Sequence, residues 1–303
     1  MDDPTVKQLR YAVAVADHQH FGRAAEAMFV SQPGLSEQVR ELERRLGVVL
    51  FERGRHGARL TAAGTEVIEA TRAVLRRLDD LRRLASSHEG TVRGPVRLSA
   101  IPTIAPYLLP AVVGVLRTRW PEARFELDEL QTDDVLAGLD DGSIDLGLLA
   151  VPYDTGALTV ETVREDPFRL AIASTHPLAA ASDPLPLTVL ADLDVLLLED
   201  GHCLRKHAQR ACAIAGSVAQ RDVRSASLST LTQMVAGGEA ATLLPETALA
   251  VEARPGNGIA TRPFTEPEPG RTIAIAWRPS DPRAALYRTA VAAIVERLDE
   301  PAG

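Results

Sequence analysis

Apolar positions recur at helical spacing through the first 60 residues, then along one longer run, and from Val96 onward gather into short blocks between helical stretches. Val6, Leu9, Tyr11, Val13, Val15 and Ala16 predict a helix that ends near Asp17-His18. Residues 21–28 predict an Ala-rich second helix, with Phe29-Val30 as a turn. A third helix opens with Ser31 as N-cap and Pro33 in its first turn, and Gly47 stops it. Its Leu35, Val39, Leu42 and Leu46 form a core-facing stripe. Residues 48–53 and 58–60 are spaced to pair as a hairpin. From residue 61 to about 87, Val67, Val74, Leu78, Leu81 and Ala85 repeat at three-four spacing on one long helix. Such a stripe suits a coiled coil with a second copy, or packing against its own domain. Residues 90–95 then read as a hinge.

Beyond the hinge, strands at 96–101, 124–130 and 144–151 alternate with helices reaching residue 119 and spanning 133–141, the signature of an α/β unit with a parallel sheet. A second unit begins near Phe168, with strands at 170–174, 195–199 and 241–244 and a helix at 228–236. The chain returns to the first unit through a strand at 272–277 and a last helix at 283–298. Two α/β lobes joined by a double crossover leave a cleft between them.

Composition narrows the function classes. The most apolar window, residues 100–116, is broken by Pro102, Pro106 and Pro110, so no membrane span is expected. The acidic start lacks the apolar stretch of a signal peptide, and two cysteines are too few for a secreted disulfide framework, which points to the reducing cytoplasm. The net charge of −8 is uneven: residues 1–94 carry +2 and the remainder −10. Only the N-terminal third can approach a polyanion, and its small charge does not by itself argue for one.

Gln32, Ser36 and Arg40 are spaced to share one face of the third helix. Gln can read adenine edges, and Arg reaches guanine or phosphate. Arg53, Arg55 and Arg59 on the hairpin suit a DNA backbone or minor groove. A protein-interaction module would have an equally polar surface, so periodicity leaves both open.

Cys203 and Cys212 are nine positions apart. On a helix they would face opposite sides about 13 Å apart along the axis, whereas a disulfide needs Cα atoms within about 7 Å. A bond between them therefore requires the segment to unwind. Two plainer roles stay open: small buried core residues, or a metal site with His202 and His207, although the spacing lacks the paired Cys knuckle of zinc sites.

The motifs Phe21-Gly22-Arg23-Ala24-Ala25, Val30-Ser31-Gln32-Pro33, Leu35-Ser36, Leu50-Phe51-Glu52-Arg53 and Leu60-Thr61-Ala62-Ala63-Gly64 resemble the winged helix-turn-helix of LysR-type transcriptional regulators. One departure is Gly34, where Thr, Ser or Ala is usual. The resemblance covers the whole chain. It implies a winged helix-turn-helix at 1–60, a linker and dimerisation helix at 61–90, and a two-lobed periplasmic-binding-protein-like α/β regulatory domain at 95–303. Lobe I would take about 95–167 and 271–303, and lobe II about 168–270. Ser31, Gln32, Pro33, Ser36, Arg40, Arg53 and Arg55 are the DNA-binding residues it implies. Double-stranded promoter DNA, a second or fourth copy of the chain, and RNA polymerase are the implied partners. No cofactor, resident metal or enzyme activity is expected.

Within that family, Leu198-Glu199-Asp200-Gly201-His202-Cys203-Leu204-Arg205 with Cys212 resembles the hydrogen-peroxide-sensing OxyR subgroup. Ile101-Pro102-Thr103, Leu130-Gln131-Thr132, Arg271-Thr272-Ile273 and Trp277-Arg278-Pro279 extend the likeness. The resemblance implies that Cys203 is oxidised by peroxide and Cys212 resolves it, with Thr103, Thr132, His202 and Arg278 around the peroxide. A thiol at a helix N-terminus meets the positive end of the macrodipole, which favours the reactive thiolate. His202 and Arg205 would add a donor and positive field. Lys206 and His207 depart from the subgroup and are expected to lower the Cys212 pKa or to alter the ease of unwinding. The alternative within the same fold is a regulator of this family that binds a small organic anion between the lobes and carries non-redox cysteines.

Overall fold

In the computed structural model, which describes residues 3–54, 57–86, 91–216, 224–225, 227–238 and 240–300, the head follows its polarity pattern closely. Helices α1 (Val6–His18), α2 (Phe21–Ala27) and α3 (Gln32–Leu46) enclose Tyr11, Val15, Ala24, Leu35, Val39 and Leu42. The Ser31 hydroxyl accepts from the Gly34 amide at 3.3 Å, and Gly47 closes α3 with φ +69°. Leu46 is 39% exposed, so the apolar stripe ends one turn earlier than its spacing predicts. Strands β1 (Phe51–Gly54) and β2 (Gly57–Leu60) form the hairpin, and Phe51 meets Phe21 edge-on at 5.8 Å.

The long helix α4 (Ala62–Ser86) is anchored by Thr61, which accepts from the Gly64 amide at 2.8 Å and donates to Val49 O at 2.7 Å. A Cβ on Gly64 would stand 2.2 Å from Leu50 O, so this approach needs glycine. Ile68 is buried in the head, whereas Val74, Leu81 and Leu84 remain exposed. Residues 1–85 form one compact unit and 86–303 another.

In the second unit, β3 (Gly94–Ala100), α5 (Ala105–Arg119), β4 (Ala123–Glu129), α6 (Thr132–Asp141), β5 (Leu146–Val151) and β6 (Thr159–Ala173) follow in order. Then come β7 (Leu197–Leu198), α7 (Cys203–Ile214), β8 (Arg224–Ser225), α8 (Leu228–Ala236) and β9 (Thr242–Pro245). The chain ends with α9 (Leu249–Glu252), β10 (Ile259–Arg262), β11 (Gly270–Trp277) and α10 (Ala284–Asp299). β3 runs parallel to β4 and β5, but β11 is antiparallel to β5 and β6. The sheet is therefore mixed rather than parallel, because β11 returns into it from the other lobe. β6 joins the lobes: residues 159–167 pair with β11, and residues 168–173 pair with β9 and β10. Trp120, Trp277 and Tyr287 centre the lobe I core, and Phe168 and Phe264 the lobe II core.

Candidate functional site

The site forms where parallel strands end. Leu130 N donates to Ala100 O at 3.2 Å, and Ala100 stands opposite Glu129. Thr103, three residues past β3, and Thr132, the first residue of α6, therefore leave adjacent carboxyl ends, where ligands of α/β sheets collect. One guanidinium holds Thr103 at two atoms: its hydroxyl accepts from Arg271 Nη1 at 2.8 Å and its carbonyl from Nη2 at 3.0 Å. Arg271 Nε in turn reaches Asp166 Oδ2 at 2.9 Å, and both side chains are fully buried. Asp166 also accepts from the Thr247 amide at 2.9 Å and hydroxyl at 3.1 Å. The Thr132 hydroxyl is different: buried, with no hydrogen-bond partner among the described residues. A buried hydroxyl with unused donor and acceptor capacity is one that a small polar ligand can satisfy.

α7 contributes the third side. Gly201, at φ +100°, turns the chain so that His202 becomes the N-cap and Cys203 the first helical residue. His202 Nε2 and Gln131 Nε2 lie 3.2 Å apart, which sets the first turn of α7 beside the start of α6. Cys203 packs in the lobe I core, and Cys212 in that of lobe II beside Leu204, Ala208 and Ala211. Both thiols are free and buried. The opposite-face geometry expected for a helix is thus realised as one cysteine per lobe, and a metal shared by the two is incompatible with an intact α7.

Burial pushes the Cys212 thiol up, not down. The expectation that Lys206 and His207 would lower it is corrected because both turn towards lobe I. His207 Nε2 lies 3.2 Å from Pro152 O, and Lys206 Nζ lies 3.2 Å from Tyr153 OH and 4.6 Å from the centroid of its ring. Arg205 also differs from expectation: its charge is matched by Asp200 at 3.0 Å, and it donates to Leu198 O at 2.7 Å.

Burial is the main reason that the His207 pKa falls below its ordinary value; Arg271, Arg210 and Lys206 push the same way, and the Pro152 carbonyl opposes them. The unfolded chain takes up a proton near pH ~6.5 that the folded chain resists. The stabilising effect of neutral His207 is therefore complete above that pH and is lost as pH falls below it. Melting the reduced protein between about pH 7.5 and about pH 5.5 should show a drop in Tm that is smaller in His207→Gln.

Arg278 is not beside Thr103. It stands past the other end of β11, roughly 23 Å from Arg271 at strand spacing, against Gly142 and with Asp281 at 3.9 Å. Arg271 occupies the position that Arg278 was expected to take. The available signal was the lone charge of a strand that continues past Thr272 as Ile273, Ala274, Ile275, Ala276 and Trp277. Gln131 was likewise missed as the partner of His202.

On the head, Ser31 caps α3, and Gln32, Pro33 and Arg40 are exposed, with Arg40 held by Glu37 at 2.8 Å. Ser36 is only 8% exposed because it adjoins Leu35 on the core-facing arc, so it presents far less surface than a base-reading residue was expected to. Arg53 lies on β1, and Arg55 falls outside the described residues.

A family model described as the LysR substrate binding domain matches residues 89–299. A second, the bacterial regulatory helix-turn-helix protein of the lysR family, matches residues 6–65. Over 294 residues the chain is 40% identical to the DNA-binding transcriptional dual regulator OxyR of Escherichia coli K12, covering 97% of this chain and 96% of that protein. The hydrogen peroxide-inducible genes activator of Pectobacterium carotovorum is also 40% identical, over 293 residues, with 97% and 96% covered. Among solved structures, a full-length cysteine-to-aspartate OxyR of Pseudomonas aeruginosa superposes with a TM-score of 0.78 at 34% identity, covering 97% of this chain and 95% of that one. A peroxide-bound cysteine-to-serine OxyR mutant of Corynebacterium glutamicum matches with a TM-score of 0.65 at 33% identity, covering 98% and 95%. Among the described residues, no helix is long and apolar enough to cross a membrane.

Proposed function

The chain belongs to the LysR family of bacterial transcription regulators, and on that premise we propose that it senses hydrogen peroxide through Cys203 and reports it as a change in DNA-binding mode. The observation that carries the proposal is the division of α7: one cysteine in each lobe's core, with Cys203 at the helix N-terminus beside the start of α6. The Cys203 thiolate attacks one peroxide oxygen, the O–O bond breaks, and hydroxide leaves and is protonated to water. Cys203 is then a sulfenic acid. The Cys212 thiolate attacks its sulfur, and the disulfide forms as the sulfenic oxygen departs as a second water.

Thr103, Thr132, His202 and Cys203 surround the peroxide in this proposal, with Arg271 rather than Arg278 as the arginine. The unsatisfied Thr132 hydroxyl supports a role in hydrogen-bonding the peroxide and its leaving hydroxide. Trapping with a sulfenic-acid-selective probe tests the sequence of steps. Adduct should accumulate on Cys203 in Cys212→Ser and be fleeting in the wild type; no adduct in either protein contradicts it.

The head at 1–60 would bind promoter DNA, with Gln32 and Arg40 towards the bases and Arg53 and Arg55 towards phosphates. The exposed Val74, Leu81 and Leu84 support self-association through α4, as a homodimer or homotetramer. Contact with RNA polymerase in the cytoplasm completes the proposal. Arg40→Ala should relax operator preference by about 1–3 kcal/mol if its base contact is bidentate, whereas Arg53→Ala should weaken all sequences and reduce the salt slope by about 1. Binding to operator and scrambled duplexes across a salt series separates the two.

A small organic anion is the second candidate. It is favoured by the first turns of α6 and α7, whose positive ends lie side by side at the Gln131–His202 contact. An anion-responsive regulator would keep its response in Cys203→Ser.

A further inference from the structure

We propose that Tyr153 is the latch of this switch: by clasping Lys206 on α7 it holds the reduced conformation and sets the rate of disulfide closure, not of the first oxidation. The proposal rests on the peroxide-sensing function above and adds which contact yields. Positions 203, 206 and 207 are three and four apart and share one face of α7. Leu204, Ala208, Ala211, Cys212 and Ala215 lie in the lobe II core. For the two sulfurs to meet, α7 must leave one of its two supports.

The supports differ in kind. On the lobe II side, five buried apolar side chains would be uncovered, and that loss grows with every carbon exposed. On the lobe I side, Cys203 is the only buried apolar anchor that α7 supplies; Lys206 and His207 add polar contacts to Tyr153 and Pro152. The Lys206 contact is exposed and exchanges readily with water, and buried His207 contributes a single hydrogen bond, so this side releases first.

Tyr153 is the pivot of that side. Its hydroxyl donates to Asp133 Oδ1 at 2.6 Å and receives Lys206 Nζ at 3.2 Å, while its ring lies under the same ammonium. Asp133 follows Thr132 in the first turn of α6. One tyrosine thus ties α7 to the first turn of α6. The attack on peroxide takes place with α7 docked, so the clasp is the same before and during that step. The attack of Cys212 on the sulfenic sulfur requires α7 to undock, and the clasp opposes it.

The test measures the two steps separately in the full-length protein. The second-order rate of Cys203 oxidation is read in a Cys212→Ser background, and the first-order rate of closure in proteins that keep both cysteines. Tyr153→Phe removes both hydroxyl contacts and keeps the ring packing; Tyr153→Leu removes the ring as well. Closure should quicken about two- to fivefold in Tyr153→Phe and further in Tyr153→Leu, with the oxidation rate within about twofold of wild type. Lys206→Met should quicken closure too, and its effect should not add to that of Tyr153→Leu. An unchanged closure rate in both Tyr153 variants overturns the latch and leaves peroxide sensing standing. Equal changes in both steps also overturn it. A wild-type protein that forms no 203–212 disulfide overturns the latch and the sensing mechanism together.

Discussion

Serine at position 203 is expected to abolish the peroxide response while leaving operator binding by the reduced protein intact. The hydroxyl fits the space of the thiol in the lobe I core, so the docked α7 is retained. It is not a nucleophile towards peroxide, because the reactive species is a thiolate. Cys212→Ser should behave differently. Cys203 would still be oxidised, but no resolving thiol remains, and the sulfenic acid would persist or advance to the sulfinic state with excess peroxide. In the wild type, burial in lobe II holds Cys212 protonated and out of reach until α7 unwinds. Ordering cost favours the unwound chain, and closing a loop of about ten residues then constrains it, so the oxidised state is a trade between lost packing and a new covalent bond. Footprints of the three proteins with and without peroxide check this prediction. A normal peroxide-driven shift in Cys203→Ser would favour the small-anion regulator instead.

The second large effect belongs to Arg271→Ala. The guanidinium joins Thr103 of lobe I to Asp166 on the strand that crosses between lobes, and Asp166 also holds Thr247 after β9. Removing it leaves the Asp166 carboxylate fully buried without its cation, a loss of about 3–5 kcal/mol. Arg271→Lys should rescue little, since a single ammonium cannot make three directed contacts from one planar group. Arg278→Ala, at the far end of β11, should leave the oxidation of Cys203 unchanged. Denaturant unfolding gives the stability of each variant, and peroxide-reaction rates under conditions where each stays folded give the pocket effect. If Arg271→Ala lowered stability by no more than Arg278→Ala, the bridging role of Arg271 would be wrong.

Local signals made the head legible. Ser31 and Gly47 mark the ends of α3 by backbone chemistry that needs no distant partner, and the Leu35, Val39, Leu42 stripe falls inside as spaced. The register of α7 was legible for the same reason, since nine residues on a helix fix opposite faces. Signals that depend on tertiary pairing were not. Asp166-Pro167 interrupts the apolar pattern of β6, so its continuity across both lobes was hidden, and with it the antiparallel entry of β11. Arg271 and Arg278 stand at either end of one strand, and only the register against β6 shows which one reaches Thr103. Ser36 adjoins Leu35 at the edge of the apolar arc, where a spacing of four from Gln32 does not distinguish surface from core. Tyr153 sits in a connection with no periodicity, so nothing in the sequence pointed to Lys206.

Peptide mass mapping of the full-length protein, exposed briefly to micromolar peroxide on its operator and alkylated without reduction, decides whether the disulfide drives the change in DNA binding. A linked pair of peptides carrying Cys203 and Cys212 is expected, formed as the footprint changes and dissolved by reductant together with that change. Recovery of both cysteines as alkylated thiols after the footprint has shifted would contradict it.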